Sequence, residues 1–138
     1  MSRADKYTPI AKKEFYSDFL INFDMNPVTG VLARSTNEEA VKQSLKNLIL
    51  TNMTERPYQP LVGSRINGML FDPIDSFTAL NIKTEIQQTI NNYEPRVSVI
   101  EIKVTEYTDQ NGYVVTIIFS TINIPQVIRL EFFLQRVR

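Results

Sequence analysis

The sequence predicts an α+β fold: an antiparallel β-sheet with two main helices packed on one face. Three observations carry this prediction. From Val97 to the C-terminus, apolar residues alternate in three runs separated by turn signals, the pattern of a three-strand meander. Two earlier stretches, beginning near Ser35 and near Ser76, repeat apolar residues at helical spacing. A short alternation around Phe19 adds an N-terminal hairpin.

Residues 1–16 are polar and mixed in charge, and are expected to form a flexible arm ahead of a single domain over residues 17–138. Phe19, Ile21 and Phe23 alternate with polar or opposite-face positions and predict a strand. Asn26-Pro27-Val28-Thr29-Gly30 supplies turn chemistry, and Val31-Leu32-Ala33 is expected to return as the second strand. Ser35 with Glu38, or Thr36 with Glu39, fits a capping box. Behind it Val41, Leu45, Leu48 and Ile49 form the apolar stripe of the first helix, which is expected to lie on the sheet.

From Met53 to Ser64 the pattern breaks. Pro57 and Pro60 fix φ and delete two backbone donors, so a rigid surface loop is expected. A short helical turn is expected over Gly68 to Phe71, ended before Pro73. Asp72-Pro73-Ile74-Asp75 reads as a turn leading into a helix cap. The second long helix then runs from about Ser76 to Tyr93 on a stripe of Ala79, Ile82, Ile86 and Ile90.

Pro95 forces Glu94 out of the α region, so that helix stops at a corner displaying Glu94 and Arg96. Beyond it, Val97 and Val99 are out of phase with Ile102 and Val104, which predicts a bulge near Ile100. Asp109-Gln110-Asn111-Gly112 is a hairpin turn, since Asn-Gly suits positive φ. Tyr113 to Ile122 is apolar in both phases, as a central strand covered on both faces would be. Asn123-Ile124-Pro125 turns the chain again. The last strand has Ile128, Leu130, Phe132 and Leu134 on one face, and its terminal place leaves an edge open to strand addition.

Composition narrows the function. Lys plus Arg and Asp plus Glu are fifteen each, so the chain lacks the positive excess of a protein that grips nucleic acid. There is no histidine and no cysteine, which removes disulfides, thiolate nucleophiles, imidazole acid–base schemes and Cys/His metal sites. No apolar run approaches the ~20 residues of a spanning helix, and the N-terminus lacks a signal core. A soluble, unprocessed protein compatible with an intracellular life is expected.

The carboxylates do not assemble into a catalytic pair by pattern. Glu55 with Glu94, and Asp72 with Asp75, are candidate pairs, but nothing enforces two facing groups with separated pKa values. The Asp72–Asp75 stretch lacks a calcium-loop ligand series, and the four glycines are too scattered to cradle phosphate. No enzyme activity, cofactor or metal is expected. Arg56 is read as part of a polar cluster that pairs with Glu94, or as a surface arginine of little energetic weight.

The order of motifs resembles a known family. Arg56-Pro57-x-x-Pro60-x-x-Gly63-Ser64, then Leu70-Phe71-x-Pro73, then a helix closing in Tyr93-Glu94-Pro95-Arg96-Val97 is similar to the GPW/gene-product-twenty-five family. Asp24-x-x-x-x-Thr29-Gly30 and the helix carrying Gln43-Ser44-Leu45 through Leu50-Thr51 extend the likeness, which covers about residues 19–122. Many relatives carry a glycine before Arg56-Pro57, where this chain has Met53-Thr54-Glu55.

The resemblance implies a structural baseplate wedge protein of contractile-tailed phages, with relatives in type VI secretion and tailocins. It places the chain in the virion's tail baseplate, assembled in the host cytoplasm, in six copies around the tail tube. It implies wedge docking through Glu94, Pro95 and Arg96, with Arg56 and Pro57 alongside, and that docking pair is expected to add little stability. It implies sheath binding by the C-terminal strands, through Tyr113, Val115, Ile117 and Phe119 and through Ile128, Leu130, Phe132 and Leu134. Partners are thus other wedge proteins, the sheath protein and the tube periphery, with no nucleic acid and no membrane. An anti-adapter-like regulatory module of the same fold is the alternative.

Overall fold

The computed structural model describes residues 13–136. Most of the expected N-terminal arm lies outside the described residues. The chain divides into two compact units, Met1–Ala40 and Val41–Arg138.

In the first unit, β1 (Ser17–Phe19) pairs antiparallel with β2 (Arg34–Thr36). Both strands differ from expectation. β1 stops at Phe19 because Phe23 takes φ 52° and its N–H bonds back to the Leu20 carbonyl at 3.0 Å, turning the chain. Ile21 and Phe23 are exposed, so the alternation has no buried face to serve. Val31 to Ala33 belong to the connection, where Leu32 makes only an isolated bridge to Met25. The Asn26–Gly30 turn forms as read: Asn26 Oδ1 accepts the Val28 N–H at 2.9 Å, and Gly30 sits at φ 67°.

The Ser35–Glu38 capping box does not form: Ser35 and Thr36 lie in β2, and the buried Ser35 hydroxyl has no partner among the described residues. Asn37, at φ 52°, precedes α1 (Glu38–Leu50) and spends its side chain on the chain before β1. Its Oδ1 accepts the Phe15 N–H at 2.9 Å and its Nδ2 donates to the Lys13 carbonyl at 3.3 Å. Glu38 and Glu39 favour the helix by complementing its positive end.

In the second unit, Val41, Leu45, Leu48 and Ile49 of α1 are buried as expected. The short α2 (Ile66–Met69) begins two residues earlier than expected. The long α3 (Ser76–Tyr93) matches its reading at both ends. Asp75 caps it, with Oδ1 accepting the Thr78 N–H at 2.7 Å, and that bond holds the Asp75 carboxyl below its ordinary pKa. The helix that lies along the sheet is α3, against β3.

The sheet has the order β3 (Val97–Tyr107), β4 (Gly112–Thr121), β5 (Ile124–Gln135), all antiparallel. The register slips between Val99 and Glu101, which is the bulge expected at Ile100. Tyr113, Val115, Ile117 and Phe119 are opposed by Leu134, Phe132, Leu130 and Ile128, and all eight are buried. The other face of β4 departs from expectation. Val114, Thr116 and Ile118 are only half-buried, flanked by the exposed ion pairs Lys103–Glu101 and Arg129–Glu131 of the neighbouring strands. The sheet is therefore one-sided, with a core on one face and charged side chains on the other.

Candidate docking surfaces: a proline corner, a proline loop and a sheet edge

Pro95 turns the end of α3 into a fixed fork. Glu94, at φ −129° and ψ 73°, has left the helical region, while its N–H still closes the last helical bond to Ile90 at 2.9 Å. The Val97 N–H bonds to the Glu94 carbonyl at 3.2 Å, so residues 94–97 form a closed turn. Within it Arg96 Nε donates to Glu94 Oε1 at 2.6 Å and Nη2 donates to Oε2 at 2.7 Å. Ser44 of α1 adds a third donor to Oε2 at 3.1 Å.

The two partners differ in exposure: the Glu94 side chain is 7% accessible and that of Arg96 is 44%. Burial pulls the Glu94 pKa upward, but the hydrogen bonds and charge of Arg96, with Ser44, outweigh it and leave the carboxyl below its ordinary value. Glu94 is thus an inward carboxylate that orients an outward guanidinium. The expectation that this pair adds little stability is revised by that burial, because removing Arg96 leaves the buried Glu94 carboxylate with Ser44 as its one side-chain donor among the described residues.

Arg56 does not join the pair. Both Glu94 oxygens are taken by Arg96 and Ser44, and Arg56 makes no ion pair among the described residues. Arg56 and Glu94 nonetheless line one polar cleft of about 300 Å³, with Ser44, Leu48, Gln59, Val62 and Tyr93. The loop carrying exposed Arg56 and Pro57 is locked by its own backbone. Thr54 N–H bonds to the Pro60 carbonyl at 2.7 Å, Ser64 N–H to Thr51 at 2.8 Å, and the Tyr93 hydroxyl to the Leu61 carbonyl at 2.5 Å. Ser64 Oγ donates to the Ile49 carbonyl at 2.6 Å, tying the loop's end to α1. Glu55, half of the candidate acid–base pair with Glu94, accepts the Asn52 N–H at 2.8 Å as a turn cap.

The third surface is the sheet edge. β4 is the central strand, so its backbone is paired on both sides and Tyr113, Val115, Ile117 and Phe119 have none to lend. That half of the sequence-based sheath-binding set lies on the interior strand of the sheet. β5 pairs only with β4 among the described residues. Its side chains Ile128, Leu130, Phe132 and Leu134 are spent on the core, which leaves the backbone to meet a partner.

The direction of that backbone follows from one bond. The Arg136 N–H reaches the Asn111 carbonyl at 2.9 Å, on the β4 side. Antiparallel strands alternate the side to which successive residues turn their N–H and C=O. Ile128, Leu130, Phe132 and Leu134 therefore bond to β4, whereas Arg129, Glu131 and Phe133 turn their backbone groups to the open edge. Pro125 lies in the irregular start of β5, where the register slips, and blunts that end alone. The opposite edge, β3, went unnoticed in the sequence; an open groove of about 730 Å³ runs between it and α3, lined by Ala79, Leu80, Lys83, Ile102 and Val104 among others. Ser44 was missed too, since no local signal links it to a carboxylate fifty positions away.

Among the described residues no group of three or more acidic side chains is placed to hold a metal ion, and no helix is long and apolar enough to cross a membrane.

A one-sided sheet backed by a long helix, with a Glu-Pro-Arg corner between them, defines a class of protein that comparison makes specific. The family profile described as "Baseplate wedge protein gp25" matches residues 35–124. The baseplate wedge protein gp25 of Enterobacteria phage T4 is 31% identical over 94 residues, covering 68% of this chain and 71% of that protein. The chain therefore belongs to the gp25 family of baseplate wedge proteins, structural components of contractile tails.

Solved structures carry the same fold at lower identity. A protein of Geobacter sulfurreducens described as a tail lysozyme superposes with a TM-score of 0.72 at 18% identity, covering 78% of this chain and 98% of its own. A chain of the six-fold symmetrised anti-feeding prophage baseplate gives 0.60 at 19% identity, covering 89% and 87%. A chain of the postcontracted pyocin R2 baseplate gives 0.50 at 18% identity, covering 83% and 98%.

Proposed function

We propose that this protein joins the inner wedge of a tail baseplate through its Glu-Pro-Arg corner and starts the sheath by accepting a strand at β5. The observation that carries the second half is the β5 edge, unpaired among the described residues, with Arg129, Glu131 and Phe133 turning their backbone groups outward. A row of such groups takes an extended segment of a sheath subunit by main-chain hydrogen bonding, which resists a pull along several residues at once. At the corner, Arg96 meets the neighbouring wedge protein and Glu94 holds it in position.

In this reading six copies encircle the tube periphery, as in baseplates of six-fold symmetry such as that of the anti-feeding prophage. The chain assembles in the host cytoplasm and ends in the virion, and it works without catalysis, cofactor, nucleic acid or membrane. The Glu94 carboxyl, held low by Arg96 and Ser44, has the opposite tuning from a general acid, which supports a structural rather than a lytic role. An anti-adapter-like module would have no use for the β5 edge.

The test is Glu131→Pro, which removes one outward donor and leaves the β4 ladder intact. Phage carrying it should assemble baseplates and tubes but no sheath, while the purified variant keeps the wild-type circular dichroism spectrum. Sheathed tails of normal length would refute strand addition at β5.

A further inference from the structure

The loop between α1 and α2 holds a fully exposed aromatic side chain in a strained backbone. The Gln59 N–H bonds to the Arg56 carbonyl at 3.3 Å, closing a turn with Pro57 and Tyr58 at the two central positions. Tyr58 has φ 68°. Proline first and positive φ second is type II geometry, in which the second position belongs to glycine. An aromatic residue there is strained. Nothing inside the chain compensates: Tyr58 is 102% exposed and makes no hydrogen bond or ring contact among the described residues. The turn is nonetheless held firmly, by the Thr54–Pro60 and Val62–Gln59 backbone bonds and by the Tyr93 hydroxyl on Leu61.

Strain retained on a pinned turn, around a side chain that does nothing for the fold, locates a contact outside the chain. Tyr and Arg are the side chains that most often carry binding energy at protein interfaces, and a stiff turn presents them at low entropic cost. Beside Tyr58 stand Arg56, without an ion pair among the described residues, and the exposed Leu61. The cleft behind them holds one carboxylate, Glu94, and Arg96 already satisfies it. The neighbouring Glu55 is turned to the Asn52 N–H, so Arg56 has no carboxylate partner among the described residues.

We infer that Tyr58 is the anchor of a wedge contact: its ring fills an apolar socket on a neighbouring wedge protein whose rim carries a carboxylate facing Arg56. The inference rests on the wedge-docking reading and extends it from the corner to the loop, adding a residue outside the Glu-Pro-Arg motif. The loop supplies the buried ring and Arg96 the charge at the edge of the same contact.

The decisive variant is Tyr58→Gly, because strain and contact predict opposite effects. Relief of the positive-φ residue raises the melting temperature, and loss of the ring weakens binding. The full chain is co-purified with each wedge protein of the same tail, and affinities are measured by titration. Tyr58→Gly is expected to melt higher than wild type and to bind its wedge partner at least about 30-fold more weakly, the effect of a hot-spot residue. Tyr58→Phe should bind as wild type, and Arg56→Glu should bind weakly with a reduced salt dependence. Wild-type affinity in Tyr58→Gly overturns the anchor and leaves the corner standing. Failure of the wild-type chain to bind any wedge protein overturns both. If sedimentation shows the wild-type chain self-associating and Tyr58→Gly monomeric, the socket belongs to a second copy and the wedge assignment falls.

Discussion

Glu94 and Arg96 share a bidentate ion pair across a single proline, one carboxylate oxygen 2.6 Å from Nε and the other 2.7 Å from Nη2. Because the acid is buried and the base is not, the pair has two jobs that substitution separates. Arg96→Ala should cost about 2 kcal/mol of stability, toward the middle of the range for hydrogen bonds to charge and discounted for the exposed guanidinium. It should also abolish wedge assembly. Arg96→Lys, which cannot form the fork, should recover part of the stability and little of the assembly. Urea unfolding and wedge co-purification measure the two effects.

The same pair fixes an acid limit. Its carboxyl titrates below its unfolded value, near 4.5. The stabilisation is therefore fully present above that value and is lost as pH falls through the lower, folded pKa. The stability gap between wild type and Glu94→Gln should be constant from pH 7 to about pH 5 and narrow below pH 4.5. Asp75, also lowered, loses its contribution in the same direction, but it does so in both proteins and cancels in the difference. A gap that widened on acidification would contradict the assignment.

At the β3–β4 hairpin, the two turn residues have exchanged reasons. Asn111 carries the positive φ, 54°, whereas Gly112 already pairs in β4 and is needed for space. A Cβ on Gly112 would collide with the Leu134 carbonyl oxygen and stand 2.5 Å from Phe133 Cζ. Gly112→Ala should therefore destabilise by about 3 kcal/mol, the upper end for overpacking. Asn111→Gly should be nearly neutral, since asparagine tolerates the left-handed region almost as well. Thermal unfolding of the two variants decides between space and φ.

What the sequence discloses here depends on how local the cause is. Both ends of α3 were legible because their causes, the Asp75 cap and Pro95, are adjacent in sequence. The bulge at Ile100 was legible because a phase change in a strand has few other meanings. The N-terminal hairpin was legible as a hairpin, but the bounds of its strands were not, because its course turns on Phe23 and Asn37 adopting positive φ without glycine, which no pattern announces. Nor was the depth of Glu94, which depends on Ser44 arriving from another helix. Which of the candidate site residues face inward is a tertiary fact. Strand order, likewise, decides that β4 is interior and β5 is not.

Thr54 is a second strained position in the proline loop, at φ 72°. Its side chain makes no hydrogen bond among the described residues, while its N–H to Pro60 survives any substitution except proline. Thr54→Gly should stabilise the protein by about 1 kcal/mol, the relief of the left-handed conformation less the added freedom of the unfolded chain. The melting point should rise by roughly 3–6 °C. Wedge binding should not change, which distinguishes this residue from Tyr58.

Removing the C-terminal segment is the obvious way to test sheath initiation, and the structure predicts that it fails as a test. Residues 125–138 include Ile128, Leu130, Phe132 and Leu134, each buried against the β4 row. At about 1.5–3 kcal/mol per buried side chain, their loss approaches the whole stability of a domain, about 5–15 kcal/mol. The truncated chain should be insoluble and its phage should lack baseplates altogether, the phenotype of having no protein. Leu130→Pro should behave in the same way, because it breaks a bond to β4 and empties a core position. Moving the proline one residue, to Glu131, changes only the outward edge. Expression, solubility and electron microscopy of tails from the three alleles should give loss of everything, loss of everything, and loss of sheath alone. Equal solubility of Leu130→Pro and Glu131→Pro would mean that the alternation inferred from the Arg136–Asn111 bond is wrong.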